Sequence, residues 1–571
     1  MDKIVGIDLG TSTSEIAFIN DKGEVELIPN HLGEFITPSV VHIKENGEII
    51  VGMPAKEQLI LDPENTFMEV KRLMGTDTLL KSHDKSYTPV QLSSFILKYL
   101  IDCASEYLNE EVKRAVITVP AYFTDVQRRD TLKAGESIGL KVERIVNEPT
   151  AASLDYGIMN MDKCQNVLVY DFGGGTLDVT VLELFEGVID VKSSCGNNSL
   201  GGKEFDEAIM NYLVEKINKQ HKINVSDDLR SMVRIKQVSE ECKIALSSQN
   251  DFNIDLPFIY NKKGTPLGFS ETITRDFFES LIKDKVYSTL DQIKTALLDA
   301  NLKSEELDLV ILVGGTTKIP LIKDFFKNEL NLTPESVVDP DLAVVRGAAI
   351  QAGIIDDEFK DQGKDIVIAD VCPHSLSHEC LRGGSDFWDF DLFCDILIKR
   401  NTTIPYETQN IYQTVHDNQR EVEVKVYQGE SEDPKENTFL NKFLLSGIPP
   451  ARAGKEKIKV AFSYDLNGIL SVSAEIVSTG KSAGIEIDTR SIKSSDQDID
   501  LELWKDKEKA KKYRSVIRKA EKILNEEDFD DIFGLEDDIN ELKKGIVLDY
   551  DVSDLDEIKN DILDTLELLE D

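Results

Sequence analysis

Two short segments hold the residues best suited to chemistry. Val5-Gly6-Ile7-Asp8-Leu9-Gly10-Thr11 recurs in outline as Leu168-Val169-Tyr170-Asp171-Phe172-Gly173-Gly174-Gly175-Thr176. Each is an apolar run ending in aspartate, then glycine and threonine, then a second apolar run, at Glu15 to Ile19 and at Leu177 to Leu182. Glycine in such a turn lets backbone N–H groups approach phosphate oxygens with no Cβ in the way, and the hydroxyls add donors. The two aspartates suit Mg²⁺, which dehydrates reluctantly and is held through its water by few carboxylates. Two such loops could clamp a triphosphate from both sides. Neither is a Walker loop, because the Gly-x4-Gly-Lys-Ser/Thr pattern is absent. One Asp-x-Gly-Thr turn alone reads as a plain hairpin; it is the pair that points to phosphate. A further apolar run, Leu309 to Val313, enters Gly314-Gly315-Thr316-Thr317-Lys318, a junction suited to a flat base or ribose and common as a packing device.

These turns need a scaffold. The chain has 571 residues, room for roughly three or four domains at about 150 residues each. Apolar residues make up 41% and charged residues 30%, the balance of a chain that folds. To about residue 360, short β-rich runs (4 to 8, 115 to 119, 167 to 171, 309 to 313) alternate with long helical patterns such as Ser93 to Tyr107, which predicts α/β layering. From about 371 to 490 the pattern becomes all-β: Val422 to Val426 alternates with period two, and Asn467-Gly468 marks a hairpin. Beyond about 495, Tyr513, Val516, Ile517, Ala520, Ile523 and Leu524 share one helical stripe. A second amphipathic segment is expected from about 535, and a third from Ser553, whose spacing to Asp556 fits a capping box, through Ile558, Ile562 and Leu566. Between the first two regions, Ile366-Val367-Ile368-Ala369 is bracketed by Asp365 and Asp370. It reads either as an ordinary strand or as a linker that docks as a strand in one state and is free in another.

The formal net charge of −40 repels nucleic acid and anionic bilayers alike. With no basic-then-apolar start and no run approaching the ~20 apolar residues of a membrane span, a cytoplasmic protein is expected. Seven widely spread cysteines without a Cys-x-x-Cys pair predict buried free thiols, neither a disulfide framework nor a zinc site. His374 and His378 are four apart in a strand-like stretch, where that spacing does not predict a metal pair.

Taken together, GIDLGTSTS (6 to 14), VKRLMG (70 to 75), VITVPAYFTDVQR (116 to 128), NEPTAASLDYG (147 to 157), VYDFGGGTLDVT (169 to 180), LGGKEFD (200 to 206), LVGGTTKIP (312 to 320), RNTTIP (400 to 405) and NGILSVSA (467 to 474) closely resemble the heat shock protein 70 (DnaK) family. The resemblance implies a two-lobed α/β actin-like ATPase domain over residues 1–364 and a linker at 365–370. A β-sandwich peptide-binding domain at 371–494 and a short α-helical lid at 495–571 would follow. It further implies ATP or ADP with Mg²⁺ as cofactors, potassium being a further candidate ion. The implied partners are unfolded polypeptide and a J-domain co-chaperone, with a nucleotide exchange factor left open, and the implied activity is a stress-response chaperone.

Carried over by motif, Gly10, Thr11, Ser12 and Thr13 match the first phosphate loop and Gly174, Gly175 and Thr176 the second. Asp8 and Asp171 match the carboxylates that hold Mg²⁺ through water. Lys71 matches the lysine near the γ-phosphate, while Glu148, Thr176 and Asp178 match residues that place the attacking water. Glu240, Lys243, Ser247, Gly315 and Asp341 match the adenosine side, and Gly202, Thr316 and Lys318 are further nucleotide-binding candidates. Pro120, Arg128, Ile366, Val367, Ile368 and Asp370 match the relay between nucleotide and linker. Leu381 and Val415 match an arch over bound peptide, and Tyr412, Val422 and Val424 the apolar side-chain pocket.

The departures are informative. Ile244 and Lys318 stand where the commonest family pattern has arginines that stack on adenine, which predicts weaker binding or faster exchange. Ala369 is small for the linker, and His378 falls where an apolar pocket residue is expected. Gly384 to Asp391 adds an aromatic-acidic stretch with Phe387, Trp388 and Phe390, read as loop packing or as an added substrate contact. A short segment between Lys71 and Val116, and a tail with no Glu-Glu-Val-Asp end, resemble the short bacterial HscC-type members. Two other functions stay open at this point: a small-molecule kinase on the actin-like fold, and a non-catalytic nucleotide-gated binding protein.

Overall fold

The computed structural model describes residues 3–160, 162–262, 265–335, 337–359, 366–383 and 390–486, then 504, 509–525 and scattered positions between 539 and 566. The chain forms two compact units, Met1–Thr489 and Arg490–Asp571.

The near-repeat in the sequence is a repeat in the fold. In one sheet, Ile4–Leu9 lies between its antiparallel hairpin partner Thr13–Ile19 and the parallel strand Arg114–Val119, with Val25–Leu27 and Lys141–Asn147 outside them. In a second sheet, Gln165–Phe172 lies between its hairpin partner Leu177–Phe185 and the parallel strand Leu309–Val313, with Val188–Asn197 next. The central strands are buried along most of their length, as strands covered on both faces by helices must be.

Two helices, Glu148–Gly157 and Ala343–Ile355, pack against each other where the sheets meet. Small residues are required there. A Cβ on Gly347 would lie 1.7 Å from the Ala151 carbonyl oxygen, and one on Gly6 would lie 2.2 Å from the Ala349 nitrogen. Backbone thus touches backbone along one line, which brings the starts of the two hairpins face to face.

The Asp365–Asp370 segment is a strand from Val367 onward. Val367–Val371 adds to the second sheet, parallel to Val188–Asn197, with Val188, Ile189 and Asp190 opposite Val367, Ile368 and Ala369. Ile366 and Ile368 pack on the core between the sheets.

Beyond it, two four-stranded antiparallel sheets face each other, as the period-two pattern predicts. One has Leu376–Gly383 between Phe390–Ile398 and Glu421–Gln428, with Thr438–Ser446 at its edge. The other runs Tyr406–Gln413, Lys457–Tyr464, Leu470–Ile476 and Ser482–Glu486. The core between them includes Leu376, Val424, Val426, Val460, Phe462 and Val472. The predicted Asn467-Gly468 turn forms with Gly468 at φ 70°, where glycine carries no steric cost. The aromatic stretch 384–389 lies outside the described residues.

In the second unit, the helix Ala510–Asn525 buries Tyr513, Val516, Ile517 and Ala520, four of the predicted stripe residues. They cluster with Trp504, Ile539, Leu542, Ile546, Leu555, Ile562 and Leu566. The side chains of Ile523 and Leu524 and the proposed cap at Ser553 lie outside the described residues.

Candidate functional site

The paired hairpins bring five charged side chains to one point. Asp8 ends the first strand and accepts a hydrogen bond from Thr118 Oγ1 at 2.8 Å. Asp171 ends its counterpart in the second sheet, directly across the hairpin from Asp178. Asp178 accepts the Tyr122 backbone N–H at 3.0 Å. Glu148 opens the Glu148–Gly157 helix and receives Lys71 Nζ at 2.5 Å. Lys71 is 6% exposed and stands over the Phe123 ring.

Four carboxylates share one buried ammonium here. Burial, reinforced by Glu148, pushes Asp8 and Asp178 up to about 7, with Lys71 pulling the other way. Burial, then Glu148, Asp178 and Asp8, raises Asp171 well above the ordinary range. One oxygen of Asp171 and one of Asp178 are buried without a hydrogen-bond partner. Orphaned carboxylate oxygens in an anionic pocket fit a divalent cation, and Mg²⁺ carrying its own water fits better than a dry ion. A fifth acid, which motif reading missed, is buried beside them: Glu15 lies across the hairpin from Asp8 and is itself pushed up by burial and by Asp8. The signal was its position in the short strand after Gly10-Thr11.

The two glycine turns touch. A Cβ on Gly174 would fall 2.1 Å from Ser12 Oγ, and one on Gly175 would fall 2.9 Å from Thr11 Cγ2. Thr11 and Thr176 are buried, while Ser12 and Thr13 are exposed. Gly10 is likewise constrained, a Cβ there meeting the Thr13 carbonyl oxygen at 2.1 Å.

On the other flank, Thr316 Oγ1 donates to the Gly173 carbonyl at 2.8 Å, which ties the Leu309–Val313 strand's exit to the second loop. Lys243 Nζ bonds the Gly202 carbonyl at 3.2 Å and Asp206 at 2.8 Å. Ser247 Oγ donates to the Lys243 carbonyl, and Gly315 lies beside Asp341. Lys318 is paired with Asp341, so its ammonium is engaged, and Ile244 is 61% exposed. Four ion pairs span the cleft above: Lys56 with Glu240, Glu69 with Lys203 and Lys236, and Arg72 with Glu204. Of these only Glu240 was singled out from the sequence.

The residues that the resemblance matched to a relay lie where the strands of the first sheet leave this pocket. Asp370 accepts Asn147 Nδ2 at 2.9 Å and Thr150 Oγ1 at 3.1 Å. Arg128 donates to Asn147 Oδ1 at 2.5 Å, to the Ala121 carbonyl at 3.1 Å and to the Asn467 carbonyl at 3.5 Å. Pro120 is buried, and its carbonyl accepts the Phe123 N–H. Sequence reading missed half of this junction. Asp125 accepts the Leu470 N–H at 2.7 Å, Arg129 donates to the Leu470 carbonyl at 2.6 Å, and Asn467 Oδ1 accepts the Ile145 N–H at 3.0 Å. Asp299 holds Arg400 and Asn401 at the second lobe.

In the sandwich, Leu381, Tyr412, Val415, Val422 and Val424 all line one groove of about 710 Å³, together with His378, Cys380, Ile411 and Thr414. His378 is 5% exposed and packs edge-on against Tyr412, ring centroids 4.4 Å apart. Burial drives its pKa down to about 4 although Asp395 and Glu379 oppose this. The cysteines are free, but not all are buried as expected: Cys164 is exposed and Cys380 half-buried. Among the described residues, no helix is long and apolar enough to cross a membrane.

Residues 4–81 and 76–567 match the family model described as Hsp70 protein. The chain is 47% identical over 497 residues to the chaperone protein DnaK of Thermotoga neapolitana, covering 87% of this chain and 82% of that protein. It is 45% identical over 530 residues to the chaperone protein DnaK of Thermosipho melanesiensis, covering 93% and 87%. The DnaK of Thermosipho africanus is 47% identical over 493 residues, covering 86% of this chain and 81% of its own. A match of this length, laid over twin aspartate-headed hairpins and a grooved β-sandwich, means that the chain belongs to the Hsp70 family.

Proposed function

We propose that this protein is an ATP-dependent molecular chaperone that holds extended apolar segments of unfolded polypeptides and exchanges them as ATP is bound and hydrolysed. The observation that carries the reading is one continuous path of side-chain hydrogen bonds joined by the Asn147–Glu148 peptide bond. It runs from the Lys71–Glu148 pair, through Asn147, to Asp370 in the linker strand and Asn467 in the sandwich.

On this reading Gly10 to Thr13 and Gly174 to Thr176 present backbone donors and hydroxyls to the phosphates, and Lys71 stabilises charge developing on the transferred phosphoryl group. Asp8 and Asp171 would hold hydrated Mg²⁺, which when bound neutralises phosphate charge. Glu148 fixes the Lys71 ammonium, and Asp178, anchored on the Tyr122 amide, orients water with Thr176. Glu240, Lys243, Ser247, Gly315 and Asp341 form the adenosine side, with Gly202, Thr316 and Lys318 as further contacts to the nucleotide. Peptide would lie as an added strand beneath Leu381 and Val415, with one side chain directed toward Tyr412, Val422 and Val424. Backbone bonding gives tolerance of sequence, and the pocket gives preference. The domain boundaries are those read from the sequence, with residues 495–571 as the lid and a J-domain co-chaperone as partner in a cytoplasmic setting.

The linker strand in the sheet and the Arg128–Asn467 and Arg129–Leu470 contacts correspond to the docked arrangement, which ATP favours to the extent that it binds that state more tightly. The test is the release rate of a labelled apolar heptapeptide with ATP and with ADP, alongside single-turnover hydrolysis. Faster release with ATP, and hydrolysis lowered at least tenfold in Thr176→Ala, are expected. Equal release rates would overturn the coupling, and phosphoryl transfer to a small acceptor would favour a kinase.

A further inference from the structure

One cluster in the sandwich gathers side chains whose chemistry neither peptide binding nor hydrolysis uses. In the strand Leu376–Gly383, His378 and Cys380 are two apart and so share a face, and Asp395 sits directly opposite His378 on the neighbouring strand. One donor atom from each of the three lies within 4.8 Å of the other two, the one such group among the described residues. Cys380 Sγ is 3.6 Å from both imidazole nitrogens of His378. Bonds of about 2.0–2.3 Å to a tetrahedral ion place neighbouring donors about 3.3–3.8 Å apart. The sulfur–imidazole distance already falls in this range, but a sulfur equidistant from both ring nitrogens lies off either lone pair, so the His378 ring has to turn and Asp395 has to close in.

We infer that His378, Cys380 and Asp395 form a binding site for a zinc-class transition-metal ion, with its fourth coordination position open to the groove.

The donor set of nitrogen, sulfur and carboxylate oxygen favours a borderline-soft ion over Mg²⁺ or Ca²⁺, which select oxygen. Three protein ligands leave one position free, and both His378 and Cys380 line the groove that also contains Tyr412 and Val424. The outer partners are in place. Tyr412 donates its hydroxyl to Asp395 at 2.5 Å, and Asn410 approaches the same oxygen at 3.4 Å, which orients the carboxylate as outer hydrogen bonds orient ligands in metal sites. On ligation Cys380 releases its thiol proton to solvent, so one proton leaves for each ion taken up and nothing is oxidised or reduced. The open position would accept a histidine, cysteine or carboxylate side chain of a bound peptide. That last consequence rests on the peptide-binding reading; the site itself does not.

Cobalt(II) titration of the full chain separates the two. One equivalent of a thiolate-to-cobalt charge-transfer band is expected, displaced by Zn²⁺. It should be absent in Cys380→Ser and at least tenfold weaker in affinity in His378→Ala and Asp395→Asn. Tyr412→Phe keeps all three ligands and should lose affinity by about tenfold. Circular dichroism establishes that each variant is folded. No band in the folded wild type, or a band that survives Cys380→Ser, overturns the site. With a labelled heptapeptide, Zn²⁺ should tighten binding of a central-histidine sequence and leave its alanine counterpart unchanged. Equal effects on both would overturn the open position while leaving the cobalt result standing.

Discussion

Replacing Asp370 by alanine should uncouple the two ends of the molecule. Asp370 is 6% exposed and accepts from Asn147, Thr150 and the Val371 N–H, while the half-buried Arg144 guanidinium benefits from its charge. A hydrogen bond to a charged group contributes about 1.5–3 kcal/mol when its loss strands the donor. Of the three bonds lost, the one from the Val371 N–H is local to the strand and the two from Asn147 and Thr150 cross to it; water entering the vacated space recovers part, so the docked arrangement should weaken by about 2–4 kcal/mol. At about 1.4 kcal/mol per tenfold, that is a shift of roughly 30- to 700-fold toward the undocked state. The readout is stopped-flow release of a labelled apolar heptapeptide: ATP should accelerate release at least tenfold less in the variant, with affinity in ADP unchanged. Asp370→Asn retains an acceptor and should fall between. Wild-type acceleration in Asp370→Ala would refute the idea that this carboxylate holds the linker in the sheet.

Ile244→Arg should restore a guanidinium to the exposed wall of the adenosine side; a surface cation–π contact of about 0.5–1 kcal/mol slows ADP release about two- to fivefold, and an unchanged rate would remove Ile244 from that wall. Gly347→Ala forces a Cβ to 1.7 Å from the Ala151 oxygen; overpacking that only backbone movement can relieve costs about 3 kcal/mol, seen as a lower first midpoint in urea. Burial raises Asp206 to about 6 from an ordinary 3.8, and Lys243 only partly offsets it. Between those two values the folded chain holds a proton that the unfolded chain has lost, so this group's contribution to stability falls as pH rises through that window. Asp206→Asn should flatten the slope there; an unaltered slope would assign it to other groups.

What could be read in the sequence was whatever is local. The Asp-Gly-Thr turns repeat because both hairpins face the same problem, and Asn467-Gly468 marks its turn because a positive φ is needed at one place. The residues that escaped notice are joined by pairing across the chain. Asp125 and Arg129 look like the polar face of a helix until Leu470, more than 300 positions away, presents its N–H and carbonyl to them. The juxtaposition of His378, Cys380 and Asp395 was not legible for a related reason. The sequence suggested asking about His374 and His378, but the strand starts only at Leu376, so His378 shares its face with Cys380, and the third residue comes from register with the next strand. The cleft-spanning ion pairs resemble solvated surface charge for the same reason, since nothing near Lys56 announces Glu240.

The junction also explains how events at phosphate could reach a groove in another domain without a long chain of intermediates. Asn147 and Glu148 are consecutive, at the turn from a strand into a helix. One side chain holds the linker carboxylate and the Arg128 guanidinium, and the other holds the Lys71 ammonium. Tyr122 plays a parallel part. Its amide binds Asp178, its carbonyl faces His374, and its ring lies 4.0 Å from the His374 ring at the entrance to the sandwich. Any displacement of Lys71 or Asp178 that accompanies the loss of a phosphate is thus one residue or one peptide plane from a group that binds the linker or the sandwich. Close packing makes such a junction switch between discrete arrangements and resist gradual yielding. Gly347 against Ala151 supplies that stiffness directly behind the Glu148–Gly157 helix, so motion at its first turn is not absorbed at its back.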